Sequence, residues 1–343
     1  MTDLTTALAA LGGLVLAGVV AHGAWTARKA GPKQMAALEP RPEPREPVMD
    51  AVDSGPVIDK LQPARRMALR VDALIDAIAT LTVEAPVAGS MLQSHLPGSR
   101  RAGSKPFLIE GLNAETGEWE PPASDQRYGE LQAGVQLANR SGALNEIEYS
   151  EFVQKVQSFA EAVGAMADFP DMLDVVARAR ELDAFAGEHD AQLAVHLQAR
   201  GAPWSVGYVQ QQAALHGFVA SVLPGRMLLP GTHDGAPPVL SLSFDSQAAL
   251  AELGDNPNQA ALRDITLNFD VPQTDAKAEP FSAWQACAQA LAQGMQANLV
   301  DDNGQPLSAE GFAAIGNELR QLYGRLESHD LAAGSAAARR LFS

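Results

Sequence analysis

The chain has one cysteine, Cys287, so it cannot form an internal disulfide, which suits a reducing compartment. Cations are also scarce: 25 Lys and Arg stand against 41 Asp and Glu, a formal net charge of -16. A surface that acidic is repelled by phosphate backbones, so nucleic acid is not an expected partner. The seven histidines are scattered, and none sits at metal-ligand spacing from another His, a Cys or a carboxylate. No nucleophile–base–acid set, paired-carboxylate signature or Gly-rich phosphate cradle stands out. The expectation is therefore a protein with no catalytic residues, cofactor, metal or small-molecule substrate.

Long apolar runs are missing as well, with one exception. From Leu4 to Trp25 no side chain is charged. As a helix this stretch would be about 33 Å long, the thickness of a bilayer's hydrocarbon core. No basic residue precedes it, whereas Arg28, Lys29 and Lys33 follow closely. Basic residues flank the cytoplasmic end of a span, so residues 1–27 read as a membrane anchor, N-terminus outside and the remainder in the cytoplasm. A cleaved export signal is the alternative, since Ala21-His22-Gly23 resembles a small-residue cleavage site, but a signal normally opens on positive charge.

Residues 28–68 form a Pro-rich linker. In the run from Glu39 to Pro47 the prolines remove amide donors and hold their neighbours extended, which excludes helix and sheet. Such a spacer reaches on the order of 100 Å. Beyond it the texture is α+β, with one or two split β-α-β domains, each an antiparallel sheet carrying helices on one face. In the half from 188 to 328, "DAQLAVHLQ" and "ITLNFDVP" alternate as half-buried strands. The sets Phe281, Trp284, Ala288, Leu291, Met295 and Phe312, Ile315, Leu319, Leu322, Leu326 recur at helical spacing. The half from 69 to 187 reads as a degenerate copy with the order β-α-β-β-α-α. A helix through Phe152, Val156, Phe159, Val163 and Met166 is followed by one opening at Pro170, with no strand evident between them.

The stretch from "DAQLAVHL" to "NELRQLYGRL" resembles the C-terminal domain of ZipA-type cell-division proteins, through "ITLNFDVPQ", "FSAWQACAQALAQGMQ" and "ANLVDDNGQPLSAEGFAAIGNELRQL". An N-out span, a Pro-rich linker and a cytoplasmic C-terminal domain are also that family's plan. The resemblance implies a bitopic adaptor that grips the C-terminal tail of the tubulin-like GTPase FtsZ on the sheet face free of helices. Carried over, that face comprises Ala194, His196, Met227, Leu229, Ser241, Ser243, Thr266 and Asn268. Two departures stand out. The strand from Ile265 to Val271 exposes Thr266, Asn268 and Asp270, leaving the apolar anchors to Met227 and Leu229, and a whole domain replaces part of the linker.

The other conspicuous residues have plainer readings. His196 is expected to be a surface histidine without a carboxylate beside it, and Cys287 a small core residue. Asp301–Gly304 lacks the ligands of a calcium loop and reads as a turn and helix cap. Pro97–Lys105 reads as a solvated basic loop, and the tail 329–343 as frayed. Two other classes remain as rivals: an extracytoplasmic binding or sensory domain, and, further off, an anchored enzyme.

Overall fold

The computed structural model describes residues 69–231, 237–245, 247 and 261–343. The span expected at Leu4–Trp25 and the linker lie outside the described residues. Among those that are described, no helix is long and apolar enough to cross a membrane. The remainder is mixed α+β with antiparallel sheets, as the hydrophobic periodicities require.

The first half runs β1 (Asp76–Ala88), α1 (Gly89–His95), β2 (Lys105–Asn113), β3 (Arg127–Gln136), α2 (Glu146–Val163), β4 (Ala165–Asp168) and α3 (Met172–His189). The second runs β5 (Gln192–Ala199), α4 (Val206–Leu215), β6 (Arg226–Leu229), β7 (Leu240–Ser243), β8 (Asp264–Asp270), α5 (Pro280–Met295), β9 (Ala297–Val300) and α6 (Ala309–Ser328). A last helix, α7 (Ala336–Leu341), closes the chain.

The principal strands of the first sheet lie in the order β2-β3-β1-β4, and those of the second in the order β6-β7-β8-β5-β9. With β6 set aside, the two orders correspond strand for strand, so the halves share one topology. The strand missing from the sequence reading is β4. It is only four residues long, and Met166, expected on a helix, lies on it and is 78 % exposed. Gly164 explains the break. It takes a left-handed φ of 71° as the cap of α2 and turns the chain back into the sheet. Helix α3 starts after Pro170, on an Asp171 cap that accepts the amides of Leu173 and Asp174.

Each sheet buries one face. In the first, Ala77, Ala79, Leu81, Phe107, Ile109, Leu131, Ala133 and Val135 meet Phe152, Val156 and Phe159 of α2. In the second, Val195, Leu197, Leu242, Ile265, Leu267 and Phe269 meet Trp284, Leu291, Phe312 and Leu319. Trp284 Nε1 donates to the Leu267 carbonyl at 3.1 Å, which pins α5 to β8 at one register.

The tail does not fray. Leu341 and Phe342 are fully buried, and α7 bridges the halves. Arg340 forms a buried bidentate pair with Asp76 of β1, one arm at 2.8 Å, and the Arg340 carbonyl accepts from Gln136 Nε2 at 2.7 Å. A second bridge starts at Arg140, whose guanidinium grips both Asp190 and Asp270. An amphipathic pattern cannot foresee this, because the six-residue helix draws its stability from long-range contacts and not from its own length. Lys105, expected in a solvated loop, is likewise fully buried. Its ammonium donates to Ser104 Oγ at 2.8 Å and Asn139 Oδ1 at 2.9 Å, and burial lowers its pKa.

Candidate functional site

The two sheets differ on the face away from their helices. The chain entering the first sheet lies against that face: the Val71 amide donates to Glu110 Oε1 at 3.0 Å. Its side chain packs over Gly134, where an added Cβ would meet Val71 Cγ1 at 2.6 Å. Glycine at 134 is what lets the entering segment approach so closely. On the second sheet no described segment covers the corresponding rows, which makes it the candidate surface.

Strand register sets what this face presents. Arg226, Ser243, Thr266 and His196 form one cross-strand row, and Leu228, Ser241, Asn268 and Ala194 the next. Six of the eight residues expected here from sequence are thus in place: Ala194, His196, Ser241, Ser243, Thr266 and Asn268. Met227 and Leu229 are not. Met227 pairs with Leu242 and is buried, Leu229 pairs with Leu240 and packs on the core, and the open positions of β6 are Arg226 and Leu228. The stretch "RMLLPG" is too short and too uniformly apolar for its pattern to set the phase. Pairing with "VLSLSF", which does alternate, decides it. Val219 opposes Leu228 from a short neighbouring strand, Val219–Ala220, and is half exposed. Leu228 and Val219 therefore supply the aliphatic surface that the sequence reading assigned to the residues beside them.

Between these rows lies a recess of about 500 Å³. Ala194, Ser241, Ser243 and Asn268 are small enough to give it depth, and Arg226, Asp270 and Asp302 stand on its rim. Asn268 Nδ2 donates to Ser243 Oγ at 2.9 Å, which settles one polar pair of the floor.

His196 departs from the expectation of a histidine without carboxylate neighbours. Asp264 Oδ1 lies 3.1 Å from Nδ1 and Asp302 Oδ1 lies 3.0 Å from Nε2. A carboxylate only accepts, so satisfying both contacts requires both ring nitrogens to donate, which is the imidazolium. Partial burial opposes that charge, but the hydrogen bonds that the ring donates to the two aspartates outweigh it and raise the pKa. Asp264 and Asp302 are far from His196 in sequence, and only the pairing of β8 and β9 with β5 brings them together. Asp301 holds the turn that carries Asp302, accepting the amides of Asn303 and Gln305, and Ser308 caps α6. The turn and helix cap expected at Asp301–Ser308 are thus found. Among the described residues no group of His, Cys, Asp or Glu is arranged to hold a metal ion.

The elements beneath this face carry a recognisable pattern. Residues 254–318 match the family model of the ZipA C-terminal FtsZ-binding domain. The match takes in β8, α5, β9 and the first half of α6, so the resemblance to ZipA-type proteins expected from the sequence is found. It does not reach β5, β6 or β7, which build the rest of the face. No curated protein matches the chain.

Proposed function

We propose that the chain is an adaptor of bacterial cell division that binds the C-terminal tail of FtsZ on the open face of its second sheet. The observation that carries this reading is the family match at 254–318, because the matched segment includes the central strand of that face and the helix pinned beneath it. The match is to a binding domain, and an adaptor, not an enzyme, is the role it supports. The recess is consistent with this role, being floored by small side chains that let a peptide backbone approach.

The fuller proposal adds a tether. Leu4–Trp25 spans the inner membrane with its N-terminus in the periplasm, and the Pro-rich linker lets the cytoplasmic body sample a shell of roughly 100 Å. The charge asymmetry around the span supports this orientation. FtsZ filaments offer many tails at once, so weak single contacts suffice when the adaptor is confined to a surface.

A titration of the full chain with a labelled FtsZ tail peptide tests the binding claim: saturation in the micromolar range is expected, and no saturable signal up to millimolar peptide removes it. Deleting residues 4–25 tests the tether, because the chain should then leave the membrane fraction. If it stays, the anchor is elsewhere.

A further inference from the structure

The open face is chemically lopsided. At one end, on β6, Arg226 is exposed and, among the described residues, has no carboxylate partner. Two residues along the same strand, Leu228 stands on the same face with Val219 against it. At the other end, three strands across, His196 is held between Asp264 and Asp302. One imidazolium between two carboxylates leaves net negative charge there, and the Asp302 side chain is 76 % exposed. Arg140 likewise sits between Asp190 and Asp270, so it adds no free cation to the rim.

We infer that this face takes a peptide in one direction only. The partner is an extended segment that places an acidic and an aliphatic side chain together at the β6 end and a basic side chain at the Asp302 end. The spacings follow from sheet geometry. The segment crosses the strands in the recess between the two rows, so Arg226 and Leu228, about 7 Å apart along β6, flank it on opposite sides, and the acidic and aliphatic groups occupy neighbouring positions i and i+1. The two ends of the row are separated by three strand spacings of about 4.8 Å, roughly 14 Å, so the basic group lies about four residues beyond the acidic one, on the same flank.

The small floor residues let the segment's backbone lie close. Arg226 supplies a planar donor pair for a carboxylate, which a lysine there would not match as well. Complementary ends give orientation and specificity more than affinity, and the aliphatic contact with Leu228 and Val219 supplies the anchor. The net charge of the chain does not oppose this, because at physiological salt charges more than about 8 Å away are largely screened and Arg226 acts at contact distance.

This inference rests on the reading of the face as a peptide site, not on the identity of the partner. The test uses the full chain and four fluorescein-labelled nonapeptides on an Ala/Ser background. They are Asp-Leu with Lys four residues beyond the Asp, the same peptide reversed, the same peptide with Asp and Lys exchanged, and the FtsZ tail. The first should bind at least fivefold more tightly than the reversed and exchanged peptides. Arg226→Ala should weaken it at least fivefold with unchanged circular dichroism and melting temperature, Arg226→Lys should recover part of the loss, and Arg226→Glu should come to prefer the exchanged peptide. Equal affinities for the first three peptides, or an Arg226→Ala variant within twofold of the parent, overturn the inference. If the FtsZ tail binds while Arg226 is silent, the adaptor reading stands and this inference falls. If the Asp-Leu peptide binds as described and the FtsZ tail does not, the inference stands and the partner is another protein.

Discussion

Replacing Arg340 with methionine isolates the bond that ties the two halves together. Methionine keeps the aliphatic bulk and removes the guanidinium, so the buried Asp76 carboxylate loses its bidentate partner but keeps the Asp72 amide, which donates to it at 2.8 Å. Removing one member of a buried ion pair costs about 3–5 kcal/mol, because the other charge is left desolvated. For a body of this size that is a fall in melting temperature of roughly 6–20 °C. The cost must also depend on pH. Burial already raises the Asp76 pKa above its ordinary value, against the pull of Arg340, and without that pull it rises further. Below about pH 4 the carboxyl is protonated in both folded and unfolded variant, so the missing partner costs little. As the pH climbs past the unfolded-state value, the unfolded chain releases its proton while the folded chain retains it, and stability falls until the folded group ionises. Guanidinium unfolding of the full chain and the variant, at intervals from pH 4 to pH 8, gives the difference directly. A second variant, Asp76→Leu combined with Arg340→Met, removes both charges and should regain most of the loss. A loss at pH 7 below about 1 kcal/mol, or one that does not shrink toward pH 4, would refute the argument that this pair is buried and mutually dependent.

The His196 bridge carries the opposite sign. Its folded-state pKa is raised, so its contribution is complete below about pH 6.5, the unfolded value, and is lost as the pH rises through the folded value. Histidine ring resonances followed by NMR should show His196 titrating above that value in the parent and nearer to it in Asp302→Asn; an unchanged midpoint in the variant would show that Asp302 does not hold the ring. Gly89→Ala should destabilise the first half by at least about 2 kcal/mol, since the added Cβ would sit 1.8 Å from the Ala123 carbonyl oxygen and backbone must move. Thermal unfolding measures this, and a shift of less than 1 °C would refute the close approach of the Ala123 carbonyl to Gly89.

What the sequence disclosed and what it hid divide along physical lines. Strands such as "ITLNFD" and helices such as that of Trp284 and Leu291 bury one face over several turns or pleats, so their periodicity is strong, and they appear where expected. Strand β4 and helix α7 are too short for any period to emerge, and both depend on partners far away in sequence. The same limit explains the site. Thr266, Asn268, Ala194 and His196 lie on strands whose alternation fixes the face. Met227 and Leu229 lie on a four-residue strand in which Met227, Leu228 and Leu229 are all apolar, so only hydrogen bonding to β7 sets their phase, and it turns both toward the core. Asp302 at His196, and Arg226 beside Leu228, follow from cross-strand pairing and from nothing local.

The matching topology of the two halves bears on why only one face is offered. Two halves of one topology have equivalent sheet faces, and here those faces differ. Over the first, Val71 packs at a glycine and Gln136 is engaged by the Arg340 carbonyl, so the face contributes to holding the chain ends in place. The second stays open, with Arg226 and Leu228 at one edge and the His196 cluster at the other. Because α7 crosses from the second half to reach Asp76 of the first, the half whose face is covered holds α7, while the other half keeps its face open. A variant lacking residues 336–343 should therefore lose stability through the loss of Leu341, Phe342 and the Arg340–Asp76 pair, yet bind peptide with unchanged affinity wherever it remains folded, as a titration below its melting temperature would show. A fall in affinity in the folded variant would mean instead that the first half shapes the binding face, and that the halves act as one site.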